Sequence, residues 1–332
     1  LKFRIMFKIK KGKSTYYVDK KKKRVKNKTD LERIEKMRIP PAWNKVIVSK
    51  DPNSKVQAIG IDEKERSQFI YSQEHKDKSK SEKYKRVHEL GKDLSKITRK
   101  IRSELKEPGF EKKKAMALIV MLIMLTSLRI GSELNKKLYN SYGMTTLLKK
   151  HLKFQPNNVS LKFIGKKGVE NNAVIKDKLV RNLLKQWANK FKSNAQEPFF
   201  KYIGSNGNIY TLGASDVNKY IKSFGPYTAK DFRTFNANKH LLKELDRLPL
   251  NSNKESIKKT HIKKNMVQAM KKVAEHLNNT PAVCKKEYCS PYIVNSYMEE
   301  PIGLKNKIAG IRSENNCGSG DKYERAATYF LK

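Results

Sequence analysis

Leu277-Asn278-Asn279-Thr280-Pro281-Ala282-Val283-Cys284-Lys285-Lys286-Glu287-Tyr288 specifies the start of a helix and the place of a tyrosine on it. Thr280 is a good N-cap, because its hydroxyl accepts from an otherwise unpaired N–H of the first turn. Pro281 suits the first helical position, where its missing N–H would have no partner in any case. Counting from there, Tyr288 is expected about two turns into the helix, close to Lys285 and Lys286. A phenol among cations is a candidate nucleophile toward phosphate. Yet Tyr288 is one of 15 tyrosines, most of which serve core or interface, so position alone does not select it.

The charge of the whole chain gives that tyrosine a context. Lys and Arg number 74 against 32 Asp and Glu in 332 residues, a formal net charge of +42. Self-repulsion on this scale costs stability, and a polyanionic partner compensates it; solvated lysine-rich faces explain only part. Nucleic acid is favoured over a membrane surface, because no basic amphipathic segment carries a broad Trp/Phe/Leu face. The apolar run Ala115 to Leu128 is too short to span a bilayer and reads as a buried core helix. Three cysteines, Cys284, Cys289 and Cys317, form no disulfide framework and suit a reducing, intracellular setting. Cys284 and Cys289 lack the second ligand pair of a zinc site. No stretch reads as a secretory signal, and with Leu1 in first place the numbering is expected to begin inside the natural chain.

Two domains are expected from length and pattern: a β-rich region over 1–75, a linker over 76–85, and a mainly helical region over 86–332. In the first, Phe3 to Phe7, Thr15 to Val18, Val46 to Val48, Val56 to Ile61 and Gln68 to Tyr71 read as strands of a small antiparallel sheet. Asp62 to Arg66 reads as the turn joining the last two. Ile39-Pro40-Pro41-Ala42-Trp43 cannot be helix interior. Lys76 to Lys83 has no apolar periodicity, hence the linker. Helices are expected over Val87–Leu105, Lys112–Leu128, 177–192, 214–223, 229–246 and 264–277. A single hairpin interrupts them, Val159–Phe163 turning through Gly165-Lys166-Lys167-Gly168 into Val169–Ile175. Pro249 to Lys264 reads partly as loop. Signals fade beyond Pro301, where 314–320 is rich in Gly, Ser and Asn and a last short helix is expected. The fold class is α+β.

Three further residues stand at specified helix ends or turn tips. Arg129 closes the apolar helix, with Gly131 in the C′ role. It is either a cation complementing the helix dipole or a bidentate donor held on a rigid element for phosphate. Lys166 sits at the hairpin tip, where a solvated lysine is the ordinary finding; a tip can also lower an ammonium into a DNA groove to protonate a leaving oxygen. Arg233 lies in the first turns of a helix that Thr228 and Asp231 open as a capping box. A first-turn arginine opposes the helix dipole, so its presence wants a reason, and anions are welcome there. Clustered carboxylates for a metal-dependent nuclease are absent, and Gly165-Lys166-Lys167-Gly168 lacks the P-loop frame. Neither a metal nor a nucleotide cofactor is expected.

In order along the chain, Leu128-Arg129-Ile130-Gly131, Lys162-Phe163-Ile164-Gly165-Lys166, Lys230-Asp231-Phe232-Arg233-Thr234-Phe235 and Asn279-Thr280-Pro281 through Tyr288 resemble the motif blocks of type IB DNA topoisomerases. The similarity is to the compact poxvirus-like form of large DNA viruses and runs from Ile39 to about Met298. Each block is short, and their order and separations carry the resemblance. It implies that Tyr288 attacks a DNA phosphodiester and forms a 3′-phosphotyrosyl link, relaxing supercoiled duplex DNA without ATP or metal. It also implies that Arg129 and Arg233 stabilise the non-bridging oxygens and that Lys166, helped by Arg129, protonates the 5′-oxygen. Asn238 matches a supporting asparagine of that family. Two departures stand out. Asn279 replaces a histidine that donates to a non-bridging oxygen, and Lys167 replaces an acid. His276, one turn earlier, is expected to point elsewhere.

The resemblance further implies two lobes clamping duplex DNA, a monomer, and action in a virion or infected host cell. Lys230, Asn238 and Lys285 are expected at the DNA, and Gln68 and Tyr71 in its major groove, where the hairpin they end can enter. Two alternatives stay open. Tyrosine recombinases share this catalytic architecture but carry histidine where Lys230 stands. A non-enzymatic architectural DNA binder would bind with salt sensitivity and form no covalent adduct.

Overall fold

The fold is taken from a computed structural model, which describes residues 5–11, 14–192, 194–250, 259–311 and 320–332. The chain divides into two compact units, Leu1–Glu82 and Lys83–Lys332.

The first unit is built on β1 (Ile5–Lys11), β2 (Ser14–Val18), α1 (Lys28–Lys36), β3 (Asn44–Ser49), β4 (Val56–Ile61) and β5 (Ser67–Tyr71). The strands form one antiparallel sheet in the order β2-β1-β3-β4-β5. Alternation along the strands buries Met6, Val46, Val48 and Ala58 on one face, where Ile34 of α1 joins them. Arg33 ties α1 to the sheet, donating to the Ser49 carbonyl at 2.7 Å and to Gln57. Trp43, released by the turn at Pro40-Pro41, lies over Gly60, where a Cβ would stand 2.6 Å from its ring. Asp62 closes the β4–β5 turn by accepting from the N–H groups of Lys64 and Arg66. The short helix α1 was not expected; its one clear sequence signal is Asn27, whose side chain caps Asp30 N–H at 3.0 Å.

α2 (Gln73–Lys106) follows, so the stretch expected as a linker over 76–85 is helical. That stretch is helical because Lys, Glu and Gln are good helix formers even without an apolar stripe. The stripe begins further on, at Val87, Leu90, Leu94, Ile97 and Ile101, all buried. The two units divide within this helix, after Glu82.

The second unit is centred on α3 (Lys112–Thr126), in which Ala115 and Ala117–Ile123 are almost fully buried. Each such large apolar side chain contributes roughly 1.5–3 kcal/mol of transfer free energy. Around it follow α4 (Glu133–Tyr139), β6 (Leu152–Phe154), β7 (Val159–Ile164), β8 (Glu170–Ile175), α5 (Lys178–Phe191), β9 (Lys201–Ile203), β10 (Ile209–Thr211) and α6 (Ala214–Lys222). The remainder is α7 (Ala229–Arg247), α8 (Lys259–His276), α9 (Pro281–Glu287), α10 (Pro291–Glu299), α11 (Pro301–Gly310) and α12 (Lys322–Phe330). α3 packs against α5, α6, α7, β8 and β9, and α7 against α8 and α12. Among the described residues no helix is long and apolar enough to cross a membrane.

Several expectations for this unit change. The hairpin is part of a three-stranded sheet, β6-β7-β8, and β9 with β10 makes a second hairpin. The missed strands are three residues each, too short to show alternation. The apolar helix stops at Thr126 with Ser127 in the left-handed region (φ 57°), so Ser127, not Gly131, ends it and Arg129 lies in the loop beyond. Residues 259–264, the end of the stretch expected partly as loop, open α8, and α11 occupies 301–310. Residues 251–258, residues 314–319 of the Gly/Ser/Asn-rich stretch, Cys317, Phe3 and Arg4 lie outside the described residues.

Candidate active site

Arg129, Lys166, Lys230, Arg233 and Tyr288 line one cavity of about 300 Å³, together with Ser132, Asn135, Ser141 and Tyr142. These residues come from four separate chain segments, and each is set by a local device. The loop carrying Arg129 runs beside the segment 143–146: Met144 N–H donates to the Arg129 carbonyl at 2.9 Å and Thr145 N–H to the Ile130 carbonyl at 2.8 Å. The two backbones approach so closely that a Cβ on Gly143 would stand 2.5 Å from Gly131. Glycine at both positions is therefore a steric requirement. One residue earlier, Tyr142 N–H donates to the Ile164 carbonyl at 2.9 Å, which fastens the same loop to the turn end of the β7–β8 hairpin. Arg129 and Lys166 thus meet through residues 142–145. Lys166 opens the hairpin turn and is exposed; Lys167, in the left-handed region at φ 64°, is not in the cavity wall.

Arg233 stands in the second turn of α7, whose N-terminus carries the expected capping box of Thr228 and Asp231. It is 2% exposed. Its terminal nitrogens donate to the main-chain carbonyls of Ser127 and Leu277, the second at 2.5 Å, while its Nε has no partner among the described residues. Neither Arg233 nor Arg129 pairs with a carboxylate among the described residues. Burial, then Arg129, pulls the Arg233 pKa down, against the opposing effect of Tyr288. Two guanidiniums held together without acids make a site for an anion.

Tyr288 is not inside a helix: α9 ends at Glu287 and Tyr288 follows as its cap, 6% exposed. Its ring lies 5.1 Å from the Arg233 guanidinium. Burial raises the phenol pKa, but Arg233, Arg129 and Lys230 outweigh it and the net shift is downward. Thr280 caps α9 through Val283 N–H at 3.3 Å. Asn279 stands outside the cavity wall; its Oδ1 accepts from Thr280 N–H, and its Nδ2 is buried without a partner among the described residues. Lys285 is exposed on α9, away from that wall.

Two expected DNA contacts are corrected. Asn238 is fully buried: its Nδ2 donates to the carbonyls of Thr234 and Tyr288, and its Oδ1 accepts from Ser290 N–H at 2.7 Å. It holds the segment that carries Tyr288, and both its amide groups are taken by the protein itself. Gln68 shares the core-facing side of β5 with Ile70 and donates to Asp62 at 2.9 Å. Tyr71 lies on the opposite face with exposed Phe69, because the side chains of a strand alternate. The two side chains therefore lie on opposite faces of β5.

Other supporting residues escaped the sequence reading. Ser127 Oγ accepts from Asn236 Nδ2 at 2.8 Å and lies 3.0 Å from His276 Nε2. His276 stacks on His240 with ring centroids 3.6 Å apart and, as expected, is not in the cavity wall. Burial first, then each other and nearby cations, lowers the His240 pKa to about 3; burial and Arg233 lower that of His276 to about 4. Asn278 bonds the Asn172 backbone, N–H to Oδ1 at 3.3 Å, joining the 277–280 loop to the hairpin. Cys284 and Cys289 are free, buried thiols, and among the described residues no group of three or more His, Cys, Asp or Glu stands as a metal site.

The family model of the eukaryotic DNA topoisomerase I catalytic core matches residues 72–315, and that of the bacterial DNA topoisomerase IB N-terminal domain matches residues 15–62. DNA topoisomerase 1B of Acanthamoeba polyphaga mimivirus is 35% identical over 283 residues, covering 82% of this chain and 81% of that relative. DNA topoisomerase 1B of vaccinia virus (strain Copenhagen) is 24% identical over 242 residues, 71% of this chain and 70% of its own. DNA topoisomerase 1 of rabbit fibroma virus (strain Kasza) is 24% identical over 320 residues, 90% and 89% of the two chains. A single matched core spanning all four cavity-lining segments, in a fold that brings them together, places this chain in the type IB DNA topoisomerase family.

Proposed function

We propose that Tyr288 is the nucleophile of this DNA topoisomerase and that Arg129, Lys166, Arg233 and Asn279 act on the same phosphodiester. The observation that carries the assignment is the shared cavity, in which a half-buried and a buried guanidinium without acidic partners flank a phenol. The Tyr288 oxygen attacks phosphorus, the bond from phosphorus to the 5′-oxygen breaks, and that oxygen takes a proton from Lys166. The phenol proton leaves to solvent, and religation runs the same path backwards. Arg129 and Arg233 neutralise the charge that builds on the non-bridging oxygens; removing such a donor costs about 10²–10³ in rate. The unpartnered Nδ2 of Asn279 is a donor in reserve for one of those oxygens as DNA enters. Asparagine serves as donor without charge, where the family usually has histidine. Lys166 is preferred to Lys167 as acid because only Lys166 borders the cavity.

The first unit acts as a DNA clamp, with Tyr71 and Phe69 as its groove contacts and Gln68 no longer among them. Lys230 and Lys285 face phosphate. The enzyme works as a monomer, needs neither nucleotide nor metal, and operates in a viral setting, in keeping with its viral relatives. The test is relaxation of supercoiled plasmid with EDTA present and ATP absent, followed by mass spectrometry of the trapped protein–DNA adduct. Relaxation with the adduct on Tyr288, and none with Tyr288→Phe, is the expected result. An adduct on another residue, or relaxation by the phenylalanine variant, overturns it.

A further inference from the structure

α2 as well as α7 reaches the segment that carries Tyr288. Tyr84 OH donates to the Cys289 carbonyl at 2.7 Å, and Lys83 Nζ donates to the Glu287 carbonyl at 3.1 Å. These are the carbonyls immediately after and before Tyr288. Its own carbonyl is taken by Asn238, its N–H donates to the Cys284 carbonyl at 3.0 Å, and Ser290 N–H is held by Asn238. The peptide groups around the phenol are therefore gripped from two helices at once.

We propose that Tyr84, with Lys83 beside it, is a positioning residue for the nucleophile, fixing the backbone on both sides of Tyr288 so that its phenol stays in line with the scissile phosphorus. The inference rests on Tyr288 being the nucleophile. Three features support it. α9 ends at Glu287, so the carbonyl of that residue has no helical partner and accepts an outside donor; a lysine at such an end is favourable. Tyr288 lies outside helical geometry, at φ −124° and ψ −42°, so no continuing helix fixes it. Tyr84 is itself rigid: its ring packs on the core of the second unit, Lys83 Nζ lies 4.1 Å from that ring, and burial holds its phenol well above the ordinary tyrosine range. Its proton therefore stays available as a donor at every working pH. Neither residue lines the cavity, so both act through Tyr288.

In-line displacement is sensitive to placement, and an error of about 1 Å costs about a hundredfold. Tyr84→Phe removes one hydrogen bond and keeps the ring. The experiment compares wild type, Tyr84→Phe and Lys83→Met in single-turnover cleavage of a saturating DNA duplex, with non-covalent DNA affinity measured on the same proteins. The expected outcome for Tyr84→Phe is a cleavage rate about ten- to a hundredfold lower, religation slowed by the same factor, and unchanged affinity and adduct equilibrium. Lys83→Met shows the same pattern with a smaller loss. The pH–rate profile also moves, its alkaline rise shifting upward as the phenol loses its set distance from Arg233. A merely structural role lowers the reacting fraction and leaves rate and profile alone; that result, weakened affinity at an unchanged saturating rate, or rates within twofold of wild type would each overturn the proposal. Failure of the wild type to form any adduct at Tyr288 would instead remove the reading on which it rests.

Discussion

Arg233 and Lys166 border the same cavity and are held in opposite ways. Arg233 is buried, clasped by two main-chain carbonyls from distant loops, and cannot move without breaking both. Lys166 is exposed at a three-residue turn, and no hydrogen bond to it is found among the described residues. The difference matches what each is proposed to do. Stabilising charge on a transition state works best from fixed dipoles that need no reorganisation. Delivering a proton to a departing oxygen requires an ammonium that can follow it, and a long flexible stem suits that task. Burial and bonding therefore fix the cation on the α7 side, whereas the lysine at the hairpin turn is exposed.

Arg233→Ala attacks the rigid side and should have the larger total effect. Cleavage should fall by about 10²–10³ or more. Stability should also fall, because the carbonyls of Ser127 and Leu277 lose their buried donor, at about 1–3 kcal/mol each. Single-turnover cleavage and urea unfolding measure the two losses. A slow enzyme of unchanged stability would show that Arg233 does not hold those loops.

Lys166→Ala should separate the two sides. Its cleavage should fall by about 10²–10⁴ with no change in unfolding midpoint, since an exposed turn lysine carries no buried contact. A substrate with sulfur at the 5′-bridging position should restore the rate, because a thiolate leaves without a proton. Failure of that rescue would move the acid role to another group and make the contrast with Arg233 one of exposure alone.

The smallest effect concerns the support behind Arg233. His240 and His276 titrate in the unfolded chain near 6.5 but in the folded one only at about 3 and about 4. Below about pH 6.5 the unfolded state takes up protons that the folded state refuses, so stability is full above that pH and is lost on acidification toward the folded values. At about 1.4 kcal/mol per unit of depression, His276 accounts for about 3 kcal/mol by pH 4. Unfolding at pH 7.5, 6 and 5 should show the decline in wild type and a flatter dependence in His276→Gln. Parallel curves would remove the pair as the cause.

How much of this was legible beforehand follows the range of the forces involved. The cap at Thr280, Pro281 at the first helical turn, the Thr228–Asp231 box and the Asp62 turn all appeared where expected, because each is a contact over a few residues. The end of α3 was misplaced because Ser127 adopts a left-handed conformation that its residue type does not favour. Tertiary bonds from Asn236 and His276 hold it there. Gln68 and Tyr71 are expected together because both end one hairpin, whereas alternation along β5 puts them on opposite faces. The stretch 76–85 lacks an apolar stripe, so its helical conformation is not legible, yet it belongs to the helix whose Lys83 and Tyr84 reach the carbonyls on either side of Tyr288.

Sequence alone determined which residues could perform the chemistry and which local turns and helix ends would present them. Helix caps and tight turns depend on neighbours a few positions away. Only the tertiary structure decided that segments around positions 129, 166, 233 and 288 share one cavity, that Asn238 faces inward, and that α2 and α7 grip Tyr288 together. Those outcomes depend on burial and on bonds spanning up to about two hundred residues, which no local pattern encodes.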